Sequence, residues 1–194
     1  MSARQKALNR KRSQQNNIML LVIGAGLILV ALAAFFSLPK AQQEIAQQEL
    51  SAIPVSVNFV APDVQLTDLG NQPVALSNFH GQVILYNAWA TWCPPCKQEM
   101  PTLQAYYEAH KEQGFVIVAI ADGQTLEEIG TFAQDYGLTF PVWPDPQYKA
   151  TTAFRTNSLP TSFVIDRDGI VRLTWTGAIS QAMLEEYVTP LLKQ

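Results

Sequence analysis

Residues Ile84–Leu103 read ILYNAWATWCPPCKQEMPTL. The stretch opens on a short apolar run, passes through Trp92-Cys93-Pro94-Pro95-Cys96, and continues with helical periodicity. A CxxC pair that follows a strand and opens a helix is a redox signal. These are the only two cysteines among 194 residues. A disulfide closing so short a loop constrains little of the unfolded chain, so it is worth little to stability and the spacing points to chemistry. Thiolate is the nucleophile in disulfide exchange, and a helix N-terminus stabilises its charge through the helix dipole and unpaired N–H groups. Pro94 and Pro95 suit a first helical turn, where a missing N–H costs nothing. Cys93 is therefore expected to be the partly exposed attacking thiolate, and Cys96, deeper in the helix, the resolving thiol. A zinc site would need four ligands. The only other soft candidates, His80 and His110, have no recognisable spacing to the pair, so no metal or cofactor is expected.

Outward from this stretch the periodicities alternate. Val64–Leu76 reads as a strand pair around Leu69-Gly70-Asn71, and Val83–Ala88 as a strand. From Cys96 to Gln113 the pattern is helical, with Met100, Leu103 and Tyr107 on one face. Phe115–Ala121, FVIVAIA, is a continuous apolar run suited to a strand buried on both faces. Leu126, Ile129, Ala133 and Tyr136 have helical spacing, with Gly137 as a natural end. Asp168-Gly169 marks a hairpin between strands at 162–165 and 170–175. Ser180 can cap a last helix carrying Met183, Leu184, Tyr187 and Val188. Trp143, Pro144 and Pro146 suggest a rigid turn, Trp89 a core position, and His80 and His110 a loop and a helix surface. Asp122, ending the FVIVAIA run, lies at a plausible sheet edge near the site. The order predicts an α/β fold with a mixed central sheet flanked by helices.

Ile84–Leu103 resembles the thioredoxin superfamily, and within it the TlpA/ResA-like branch of membrane-tethered oxidoreductases. The resemblance runs from about Ala61 to Leu192. Ala61-Pro62-Asp63 and Leu76-Ser77-Asn78-Phe79-His80-Gly81 resemble that branch's N-terminal β-hairpin extension. Pro101, five residues after Cys96, stands where such proteins kink the active-site helix, and Leu159-Pro160-Thr161 resembles their cis-proline loop. The resemblance implies a thioredoxin-like fold and a cis bond before Pro160 that brings Leu159 beside Cys93 for a partner chain to pair with. Trp92, Pro94, Pro95, Leu159 and Pro160 are then the expected substrate-binding residues. One departure is informative: thioredoxins keep a buried acid six residues before the first cysteine, and Asn87 stands there. The TlpA/ResA-like branch instead has a glutamate three residues after the second cysteine, which is Glu99 here. One helical turn from Cys96, with its pKa raised by burial, Glu99 is expected to exchange protons with the cysteine sulfurs.

The N-terminal part reads separately. Residues 18–36, IMLLVIGAGLILVALAAFF, carry no charge, and as a helix would span roughly 28 Å, about one hydrocarbon core. Arg4, Lys6, Arg10, Lys11 and Arg12 precede them with no acid. The expectation is a basic cytoplasmic tail (1–17), a transmembrane signal anchor (18–38), a linker (39–54) and a thioredoxin-like domain (55–194) outside the cell membrane. A cleaved signal peptide is the alternative, though its apolar region is usually shorter. Beyond the apolar run the chain carries +8 and −16, a net of −8, which makes it a poor nucleic-acid binder.

These readings converge on an extracytoplasmic thiol–disulfide oxidoreductase. The resemblance implies partners that are exported, disulfide-containing proteins, including apocytochrome c, and electrons from a membrane thiol carrier. An oxidase of the same fold, a non-catalytic binding module and a peroxide-consuming enzyme of a related fold are the alternatives.

Overall fold

The computed structural model describes residues 51–194, together with Gly26. The expected tail, the anchor at 18–38 and most of the linker lie outside the described residues. Among those that are described, no helix is long and apolar enough to cross a membrane.

Eight strands and five α-helices follow in chain order among the described residues. They are β1 (Val55–Val60), β2 (Gln65–Thr67), β3 (Pro73–Ala75), β4 (Val83–Trp89), α1 (Pro94–His110), β5 (Phe115–Asp122), α2 (Leu126–Asp135), β6 (Val142–Asp145), α3 (Lys149–Ala153), β7 (Thr161–Ile165), β8 (Ile170–Thr176), α4 (Gln181–Tyr187) and α5 (Thr189–Leu192). Six strands form one mixed sheet in the order β1-β8-β7-β4-β5-β6, and β2 pairs with β3 as a separate hairpin. β4 lies within the sheet, parallel to β5 and antiparallel to β7. Every residue of β4 and β5 is buried, which is why both read as unbroken apolar runs.

Alternation along β4 builds two cores. Val83, Leu85 and Trp89 face a core shared with Leu103 and Tyr106 of α1, Ile129 of α2 and Leu184 of α4. Ile84, Tyr86 and Ala88 face the other, with Trp143, Phe154, Phe163 and residues next to the hairpin such as Val64 and Leu76. Burying one such large side chain is worth about 1.5–3 kcal/mol, so these two layers fix where the end of β4, and the cysteine motif after it, can sit.

Several expectations need correction. Trp143 and Pro144 do not make a turn; they belong to β6, where Ala121 pairs with Pro144. A proline is tolerated there because β6 is an edge strand and one row of its N–H groups has no ladder partner. Met100 and Leu103 are buried as expected, but Tyr106 rather than Tyr107 completes their face. His110 is buried, not on the surface: its Nε2 lies 3.2 Å from Oε1 of Glu185 and its Nδ1 is 3.1 Å from Nε2 of Gln113. The helix capped by Ser180 stops at Tyr187, and α5 restarts at Thr189 with Pro190 in its first turn.

Candidate active site

The chain turns out of β4 at Trp89 and enters α1 at Pro94 through a loop held to the next strand's exit. The N–H of Thr91 donates to Oε1 of Gln124 at 2.6 Å, and Nε2 of Gln124 donates back to Oγ1 of Thr91. Cys93 is the N-cap of α1, in extended conformation. Its Sγ accepts from the N–H of Cys96 at 3.3 Å. Pro94 and Pro95 have no N–H, so the amide of Cys96 is the first of the helix that can reach the sulfur. In the reduced protein this amide and the dipole of a 17-residue helix favour the Cys93 thiolate.

Cys93 and Cys96 are joined by a disulfide. Cys96 is fully enclosed, and Cys93 retains only 4% of its surface. The expected exposure of Cys93 is thus corrected: the sulfur lies at the base of a cleft, and its exposed neighbour is Trp92, at 67%.

That cleft encloses about 780 Å³. Trp92, Cys93, Pro94, Pro95 and Leu159 line it, so five of the predicted residues meet in one place. Pro160 is buried behind Leu159, and the Leu159–Pro160 bond is cis. The rest of its lining comes from the α3 segment, through Tyr148, Thr151, Thr152 and Arg155, and from Asp122. Asp122 is near the site as expected, but it is enclosed rather than open: it ends β5 one residue past the last pairing with β4, pairs with Asp145 of β6, and is 5% exposed.

Glu99 lies one turn beyond Cys96 on the buried face of α1, with 1% of its surface exposed. Burial pushes its carboxyl up to about 8. The hydrogen bond from the Asn87 side chain opposes that rise. Nδ2 of Asn87 reaches Oε1 of Glu99 at 2.9 Å and Oγ of Ser162 at 3.0 Å. Oε2 of Glu99 has no protein partner among the described residues. A dithiol backed by a carboxyl that titrates near neutrality can exchange disulfides and move the attendant proton within the core.

The wall formed by α3 escaped the sequence reading, because a five-residue helix carries too short a period to see. Two residues around it, Tyr148 (φ 56°) and Arg155 (φ 54°), adopt the left-handed region without being glycine. Neither is an Asn-Gly or Asp-Gly signal, so nothing local marks them.

The AhpC/TSA family model matches residues 57–174. The thiol-disulfide oxidoreductase ResA of Geobacillus kaustophilus is 37% identical over 134 residues, covering 69% of this chain and 77% of the relative. ResA of Bacillus subtilis is 34% identical over 134 residues, covering 69% and 75%. Among solved structures, a thiol:disulfide interchange protein of the thioredoxin family from Chlorobium tepidum superposes with a TM-score of 0.64 at 27% identity, covering 71% of this chain and 99% of its own.

Proposed function

This chain belongs to the AhpC/TSA family as a thiol–disulfide oxidoreductase of the ResA type, and from that premise we propose that it reduces disulfides in exported proteins through Cys93 and Cys96. The observation that carries the proposal is the position of Cys93: its sulfur caps α1 at the base of a cleft walled by Leu159 and Trp92. The Cys93 thiolate attacks a substrate disulfide, forming a mixed disulfide and releasing the first substrate thiol. Cys96 then gives its proton to the ionised form of Glu99 and attacks Cys93, releasing the second thiol and leaving the Cys93–Cys96 disulfide. Two electrons pass to the substrate.

A membrane thiol carrier returns those electrons, and apocytochrome c is among the substrates. Residues 18–38 hold the domain at the outer face of the cell membrane, with the basic tail inside. The charge asymmetry supports this reading: five cations and no acid precede the apolar run, and all sixteen acids follow it.

The test has two arms on the full-length chain. A Cys96→Ser variant should accumulate mixed disulfides through Cys93, and a Cys93→Ser variant should not. The reduction potential of the pair should fall near that of thioredoxin, about −270 mV. A value near about −120 mV would reverse the direction and make the protein an oxidant. No trapped partner and no reversible couple would leave only a binding module.

A further inference from the structure

The chemistry above uses part of the cleft's lining and leaves the rest unexplained. Asp122, the last residue of β5, belongs to that remaining lining. Val118 and Ile120, four and two residues earlier in β5, point into the core opposite the one that holds Cys93 and Cys96, and Asp122 shares their face. It nonetheless lines the same cleft as Cys93. Its Oδ1 is enclosed and has no hydrogen-bond partner among the described residues. An orphaned carboxylate is costly to bury, so the group favours its protonated form. Asp145 faces it from β6 and Tyr86 from β4, and Tyr148 and Arg155 share its wall.

Exchange at sulfur is an in-line displacement, in which the leaving sulfur departs on the side away from the attacker. That sulfur stands about 4 Å from Cys93 Sγ, two S–S lengths, within the cleft that Asp122 also lines. We propose that the Asp122 carboxyl gives its proton to the thiolate that leaves the substrate disulfide as Cys93 attacks. The bond from Cys93 Sγ to the nearer substrate sulfur forms, and the substrate S–S bond breaks. The electron pair goes to the far sulfur, which takes the proton, and solvent in the cleft reprotonates Asp122. In the reverse direction the carboxylate takes the proton from an attacking thiol, so the role rests on disulfide exchange and not on the reductase direction. Glu99 does not line the cleft. The two carboxyls therefore divide the work: Glu99 serves the resolving thiol from within, and Asp122 the partner's thiol in the cleft.

A leaving group that needs no proton separates this role from a structural one. The reduced full-length chain is mixed with a cystine-bridged peptide, whose alkyl thiol is a poor leaving group, and with an aromatic dithiobis-nitrobenzoate, whose thiol leaves as the anion. Asp122→Asn should slow the peptide reaction at least about tenfold more than the aromatic one. Equal loss on both, or loss on neither, would overturn the proposal. In the unsubstituted chain the ratio of peptide to aromatic rates should fall as pH rises through about 7, where Asp122 loses its proton. This second measurement needs no variant to fold, and a flat ratio would count against Asp122. An unsubstituted chain that reacts with neither disulfide would sink the exchange reading itself.

Discussion

Nδ2 of Asn87 donates to Oε1 of Glu99 across 2.9 Å, and both side chains are shut off from solvent. The contact joins β4 to α1, and the same nitrogen reaches Ser162 on β7. Asn87 holds the place where a thioredoxin would carry its buried acid, so the ionisable group has moved from the strand to the helix. The amide steadies a carboxyl that it cannot replace, since an amide does not titrate.

Removing the donor should move the acid. The Asn87 bond favours the ionised form of Glu99, so Asn87→Ala should raise the Glu99 pKa further above about 8. Carbon-detected NMR titration of the glutamate carboxyls in the oxidised protein reads this directly. A lowered value would contradict the role assigned to the Asn87 hydrogen bond.

Oxidised-state stability should depend on pH with a definite sign. Glu99 and Asp122 are raised to about 8 and about 7, above the values they have unfolded. Between the unfolded values and these, the folded chain holds more protons than the unfolded chain. Their stabilising contribution is full below about pH 4 and declines as pH rises toward 8. The slope for each group is at most about 1.4 kcal/mol per pH unit. Chemical denaturation at pH 5, 6, 7 and 8 should show the decline, and Glu99→Gln should flatten it. A Glu99→Gln variant with the parent's slope would show that Glu99 is not the group responsible.

Arg155 sits at φ 54°, exposed on the cleft wall. A left-handed conformation costs an L-residue about 1–2 kcal/mol, and glycine avoids that cost while adding freedom to the unfolded chain. Arg155→Gly should therefore raise stability by up to about 1 kcal/mol, read as a higher urea midpoint with an unchanged slope. A clear loss of stability would mean that the side chain holds the wall in place.

Helix α2 begins with a reciprocal cap. Oγ1 of Thr125 accepts from the N–H of Glu128, and the Glu128 carboxylate accepts from the N–H and hydroxyl of Thr125. Thr125→Ala should cost about 1 kcal/mol in thermal or denaturant unfolding and leave the disulfide-exchange rate at the parent value. A change in that rate would tie α2 to the site through Gln124, the neighbour that holds Thr91.

The sequence by itself determined whatever depends on neighbours within a turn or a strand. The CPPC pair announced a helix N-terminus because prolines and a capping sulfur have local requirements. FVIVAIA announced a doubly covered strand because burial on both faces removes alternation. Asp168-Gly169 set the β7–β8 hairpin through its turn chemistry. Glu99 was legible too, since three residues on a helix is one turn.

Only the tertiary structure decided the rest of the cleft's lining. β6 reads as a turn until it is known to be an edge strand, where proline's missing N–H is no loss. His110 reads as a surface residue until Glu185, 75 positions away, closes over it. Asp122 carries no motif. Its place in the cleft with Cys93 follows from two segments meeting at the end of one sheet, and its raised pKa from burial and from Asp145 of the neighbouring β6. Spacing along the chain encodes contacts within a few residues; which distant surfaces enclose a cleft is set by packing the whole core at once.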